Sequence, residues 1–114
     1  MGLKIVSPLI ANPSNTGLPG RITLRQTIQS NFPGGEAAQI TYTVQGGGKV
    51  LFEGGGTTFN VAGVHVPESP LQREDSMGLV WIGGAPESAQ IPIQQDIVGI
   101  EDSCHDSVVI TIHP

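Results

Sequence analysis

The side chains able to do chemistry crowd into one short run near the end of the chain, Glu101-Asp102-Ser103-Cys104-His105-Asp106. A thiol next to an imidazole suggests a cysteine nucleophile with its base. Neighbours in an extended chain point to opposite faces, however, and cannot hydrogen-bond as a pair. A transition-metal site at Cys104, His105 and Asp106 lacks any paired C-x-x-C or H-x-x-x-H spacing. What the run does offer is hard oxygen, because Glu101, Asp102 and Asp106, with Ser103 and loop carbonyls, are the ligand types calcium prefers. A solvated acidic turn between two strands has the same composition, and both readings stand. The other punctuated loop, Ser30-Asn31-Phe32-Pro33-Gly34-Gly35, adds one side-chain oxygen, on Asn31. His65, between Val64 and Val66, reads as a solvent-face strand residue and His113 as a terminal one. With three His and one Cys in the chain, no nucleophile, base and orienting group can be assembled from spacing, and the chain is read as a non-enzyme.

The elements that must position these residues are strands. Among 114 residues there are 16 Gly and 9 Pro, and the stretches between them alternate in polarity instead of repeating at helical spacing. Leu3 to Ile10 is one strand. Arg21 to Ile28 is another, with Ile22, Leu24 and Ile28 on one face and Arg21, Thr23 and Arg25 on the other. Ile40, Tyr42 and Val44 alternate with Thr41 and Thr43. Gly46-Gly47-Gly48 then supplies the positive φ to reverse into Lys49-Val50-Leu51-Phe52 as a hairpin. Phe59 to Val66 forms a strand bent at Ala62-Gly63, where the alternation slips by one residue as at a bulge. Leu79-Val80-Trp81-Ile82 is apolar throughout, as a central strand is. Pro92 puts the first half of Ile91 to Ile100 at an edge, and Ser107 to Ile112 closes the chain. Between them, the run from Ser69 to Gly78 has a cap-type Ser, Pro at the first helical position and Gly at its end, which predicts one or two helical turns. Many short strands without intervening helices predict an all-β chain, an antiparallel β-sandwich of about 8–9 strands forming one domain over 1–114.

Several short motifs resemble a known family. Leu18-Pro19-Gly20, Asn31 and Gly34, then Ile40-Thr41-Tyr42-Thr43-Val44 and Leu51-Phe52-Glu53-Gly54, look like the first half of the small calcium-dependent fucose- and mannose-binding bacterial lectins. Ile97-Val98-Gly99-Ile100-Glu101-Asp102, Asp106-Ser107-Val108-Val109-Ile110 and Pro114 are similar to their last loop and strand. The resemblance implies a nine-stranded sandwich, assembled as a homo-oligomer, with sugar hydroxyls on calcium. Asn31, Glu101 and Asp106 would be metal ligands, and Asn31 and Asp102 ligand-binding residues. Three departures weaken the metal chemistry. The acidic loop is shortened between Asp102 and Asp106, Phe32 and Pro33 replace hydroxyl residues after Asn31, and Pro114 ends the chain where that family ends in Gly. Two calcium ions need 6 to 8 oxygens each, so the expectation is no cofactor or a single weakly held calcium.

Five Lys and Arg against ten Asp and Glu give a net charge of −5, which offers nothing to a phosphate backbone and excludes nucleic acid as a partner. A charged fraction of 13% leaves much of the surface to Ser, Thr, Asn and Gln, suited to a neutral glycan or a protein surface. One cysteine permits no internal disulfide. No apolar run approaches the ~20 residues of a membrane span, and the N-terminal residues lack an apolar signal core. The expectation is a soluble protein synthesised in the cytoplasm without a signal peptide. Two functions follow: a lectin-like carbohydrate-binding module with weakened calcium dependence, or a structural or assembly subunit that uses the sandwich as scaffold.

Overall fold

The computed structural model describes residues 2–82 and 88–114. Nine strands follow one another: β1 (Leu3–Asn12), β2 (Asn15–Gly17), β3 (Gly20–Ser30), β4 (Glu36–Val44), β5 (Val50–Phe52), β6 (Thr58–Val66), β7 (Leu71–Trp81), β8 (Ala89–Val98) and β9 (Ser103–His113). Among the described residues there is no helix, and so none long and apolar enough to cross a membrane. The strands form a four-stranded sheet in the order β1-β3-β7-β5 and a five-stranded sheet in the order β2-β9-β8-β4-β6. All neighbours are antiparallel except β2, which runs parallel to β9. The chain therefore switches sheets between β1 and β2, over Pro13, and the first part of the chain clasps both layers.

The alternation read from the sequence is the one that packs. Ile22, Leu24 and Ile28 of β3 face Ile40, Tyr42, Ile93, Ile97, Ile110 and Ile112 of the other sheet in one continuous core, and each such aliphatic side chain contributes about 1.5–3 kcal/mol by leaving water. The bend in β6 is a bulge: Ala38 pairs with Val64 but Ile40 pairs with Val61, so Ala62 and Gly63 oppose one residue, with Gly63 at φ +68°. Pro92, which has no N–H, lies just outside the β4–β8 ladder, and its carbonyl accepts from Gln45 N at 2.9 Å. The first half of β8 pairs on one side only.

Two expectations are corrected. The run 69–78 is not helical: from Leu71 onward it is the first part of β7. Leu71, Arg73, Asp75, Met77 and Leu79 point inward with strand period, and a pair of inward polar residues disguises the apolar phase. The hairpin expected between the strands at 40–44 and 49–52 does not form either. The glycine turn instead carries the chain from one sheet to the other. β5 pairs with β7, while β4 takes β6 as its neighbour. Gly-rich connections permit both a hairpin and a crossing, and Val50 and Phe52, both buried, settle the outcome by packing in the core.

Candidate functional site

Both loops singled out in the sequence lie at the same pole of the sandwich, and a buried carboxylate joins them. Glu36, the first residue of β4, is 3% exposed. Its Oε2 accepts from the Ser30 hydroxyl at 2.5 Å and its Oε1 from Ile100 N at 3.0 Å. Ser30 Oγ in turn accepts from Phe32 N at 3.0 Å. One side chain thus holds the loop after β3 and the β8–β9 turn in place. The turn packs so closely that a Cβ on Gly99 would stand 2.1 Å from Glu36 Oε1. The sequence reading missed Glu36. The signal was its phase, since Glu36, Ala38, Ile40, Tyr42 and Val44 are all buried alternate residues of one strand.

Above this clip lies an open depression of about 460 Å³ lined by Gly2, Leu3, Lys4, Gln29, Ser30, Asn31 and Asp102. Asn31 Oδ1 accepts from the backbone N–H of Gly2, and Asp102 Oδ1 accepts from Ser103 N at 2.8 Å. Asn31 and Asp102, the two residues expected to meet a ligand, therefore do line one surface feature. Glu101 is exposed in the neighbouring turn, where with Val98, Gly99, Ile100, Asp102 and Ser103 it borders a shallower hollow.

Asp106 does not join them. It lies within β9, opposite Gln95, four residues beyond Asp102 and so roughly 13 Å along the strand. Its Oδ2 accepts from Leu9 N at 2.9 Å and its Oδ1 from Ser107 N at 2.8 Å. The expectation that Asp106 is satisfied by backbone N–H groups holds, but the acceptors' partners belong to two strands and not to a turn. The expected convergence of Asn31, Glu101 and Asp106 at one end fails because β9 begins at Ser103 and carries Asp106 away from the pole. Among the described residues, no three His, Cys, Asp or Glu side chains are grouped as they would be to hold a metal ion.

Cys104 and His105 point to opposite sides of β9, the thiol half-buried and the imidazole exposed. Burial, with the Asp102, Asp106 and Glu36 carboxylates nearby, pushes the thiol pKa up to about 11, the wrong direction for a nucleophile.

A second polar group sits inside the core. Gln26 and Gln95 face each other across the two sheets. Gln95 also reaches Tyr42 Oη at 3.4 Å, and that hydroxyl donates to Asp75 Oδ2 at 2.7 Å. Arg73 holds the same carboxylate with both its terminal nitrogens at 3.1 Å. No buried side-chain nitrogen or oxygen among the described residues lacks a partner.

No protein-family model and no curated protein sequence matches the chain. Solved structures do. Over 99% of its length the chain is similar to 31% of a Pseudomonas fluorescens alkylpurine DNA glycosylase, AlkC, solved bound to DNA containing an abasic site analogue, with a TM-score of 0.63 at 14% identity. It is also similar, again over 99% of its length, to 57% of the periplasmic chaperone SfaE, with a TM-score of 0.55 at 9% identity. The chain thus spans about a third of the one and somewhat more than half of the other. Identities this low carry the fold alone. With the strand order they define the class, an all-β sandwich of two sheets.

Proposed function

We propose that this chain is a non-enzymatic assembly or accessory subunit, a rigid sandwich that works through contact of its surfaces with protein. The observation that supports this reading is the state of the oxygens a calcium-dependent sugar site would use. Asn31 Oδ1 is held by Gly2 N, Asp102 Oδ1 by Ser103 N, and both oxygens of Asp106 by Leu9 and Ser107. These groups are committed to building the fold, and Asp106 does so away from the pole that holds Asn31. A net charge of −5 favours a protein partner over a nucleic acid. A glycan array read with calcium and with chelator tests the reading. The expected result is that no saccharide is retained under either condition. A saccharide retained and competed off by the free sugar overturns it.

One observation favours a second reading, the lectin-like module. The depression at the pole gathers Lys4, Gln29, Asn31 and Asp102, the donors and acceptors that suit sugar hydroxyls. Retention lost on Asp102→Ala would select it.

A further inference from the structure

We infer that the outer face of the five-stranded sheet is the surface through which two copies of this chain associate. The inference rests on the assembly reading and names its surface and partner.

Most sheet edges carry a recognisable device against strand addition, and the side of β9 beyond β2 lies against β1, whose Leu9 N donates to Asp106 Oδ2. β1 has two register shifts and Pro8. β2 and β5 are three residues long. The free side of β6 is broken by its bulge. The part of β7 beyond β5 turns Arg73 and Asp75 inward, and inward charges discourage pairing. Association is left to the faces, and the two faces differ. The four-stranded sheet presents Lys4, the ion pairs Arg21–Glu53 and Arg25–Glu74, and Val6 and Ile10 of its edge strand β1. The five-stranded sheet presents rows set by register in which Asp96 is the one carboxylate: Thr58, Thr43, Gln94 and Ser107 in one, and Asn60, Thr41, Asp96 and His105 in the next. Their polar groups largely satisfy one another, Thr41 with Asn60 at 2.8 Å and Gln45 with Gln94 at 2.9 Å. Val98 and Val109 stand on the same face, 55% and 53% exposed.

This wall is the poorer of the two in charged side chains, and depletion of charge is what marks the centre of protein interfaces. A two-fold axis along the β8–β9 seam sets Asp96 of each copy against His105 of the other, Gln94 against Ser107, and Pro92 against Val109, the reciprocal contacts an isologous dimer requires. Strand spacing and rise give the wall about 600 Å², near the roughly 800 Å² per partner of a stable interface.

Sedimentation equilibrium from low micromolar to about 1 mM protein tests this, that range spanning the dissociation constants of weak and moderate dimers. The expected result is a monomer–dimer equilibrium that Ser107→Arg weakens at least tenfold with melting unchanged, while Gln72→Arg on the outer face of the other sheet leaves it intact. Both variants make the same change in net charge, so a general charge effect would move them together. Thr43→Arg and Val109→Arg repeat the test should Ser107→Arg fail to fold. A monomer throughout, or a dimer that the face variants leave as strong as the wild type, overturns the inference. Failure here is distinct from failure of the assembly reading, which the glycan array judges without reference to self-association.

Discussion

Gln26 of β3 and Gln95 of β8 exchange two hydrogen bonds across the middle of the sandwich, at 2.8 and 2.7 Å, with Gln26 4% and Gln95 0% exposed. Each amide is the other's partner, so removing one leaves a buried donor and acceptor unmet. Gln95→Leu should cost about 2–3 kcal/mol. Gln26→Leu with Gln95→Leu together should cost much less than the sum, since no polar group is then orphaned. Urea unfolding of the two single variants and the double variant measures the coupling, and strict additivity would refute a reciprocal pair.

Glu36 should be the most sensitive polar residue at the pole. Glu36→Ala leaves the Ser30 hydroxyl and Ile100 N–H without their acceptor and should cost about 3 kcal/mol, against roughly half that for Glu36→Gln. Gly99→Ala should act on the same contact from the other side, because its Cβ would collide with Glu36 Oε1. Amide hydrogen exchange at Ile100 reads the effect locally, and protection there unchanged in Glu36→Ala would disprove the clip.

Asp106 ties β9 to β1 through Leu9 N. Asp106→Ala should lower stability by about 1–2 kcal/mol, by the same amount in millimolar calcium and in chelator. A melting temperature that climbs several degrees with calcium in the wild type, and no longer does so in the variant, would instead place a cation at this carboxylate.

Tyr42 is the only tyrosine, so absorbance near 295 nm titrates it alone. Burial first, then the hydrogen bond to Asp75 and that carboxylate's charge, hold its pKa well above the ordinary 10.0. With the folded value above the unfolded one, the neutral phenol's contribution is complete below about pH 10 and is lost as pH rises beyond it. The phenolate signal should therefore stay silent past pH 10 and appear together with alkaline unfolding. A smooth titration at 10 in folded protein contradicts the buried hydrogen bond.

The Cys104 thiol, pushed up to about 11, should react with iodoacetamide at pH 8 about a hundredfold more slowly in folded than in urea-unfolded protein, the thiolate being the nucleophile. Equal rates in the two states would contradict its burial.

Strand existence was legible because one face of each sheet is buried. Ile22, Leu24 and Ile28 declare their phase, and the slip at Ala62-Gly63 declares its bulge. What stayed hidden were polar residues on buried phases. Gln26 lies in phase with Leu24 and Ile28, Gln95 with Ile93 and Ile97, and Asp75 with Met77 and Leu79. Such positions read as interruptions until the facing sheet supplies their partners. The same blindness turned β7 into a predicted helix and moved attention from Glu36 to Asp106, whose partner, Leu9, lies 97 residues away in the chain. Local sequence cannot weigh a hydrogen bond of that separation.

The one parallel ladder among the described residues, Asn15–Gly17 on Thr111–His113, gives the fold a mechanical character. β1 starts beside Asp102 at one pole, and β9 ends at the other, along a molecule 49 Å in its longest dimension. A load applied between Leu3 and His113 draws β2 and β9 past each other lengthwise. The rungs between them, including Leu18 N to His113 O at 2.9 Å and Thr111 N to Ser14 O at 2.8 Å, are sheared together and cannot be unzipped in turn. Tension along this axis meets the fold where it yields as a block, so resistance to pulling is set by the rate of concerted rupture and not by equilibrium stability.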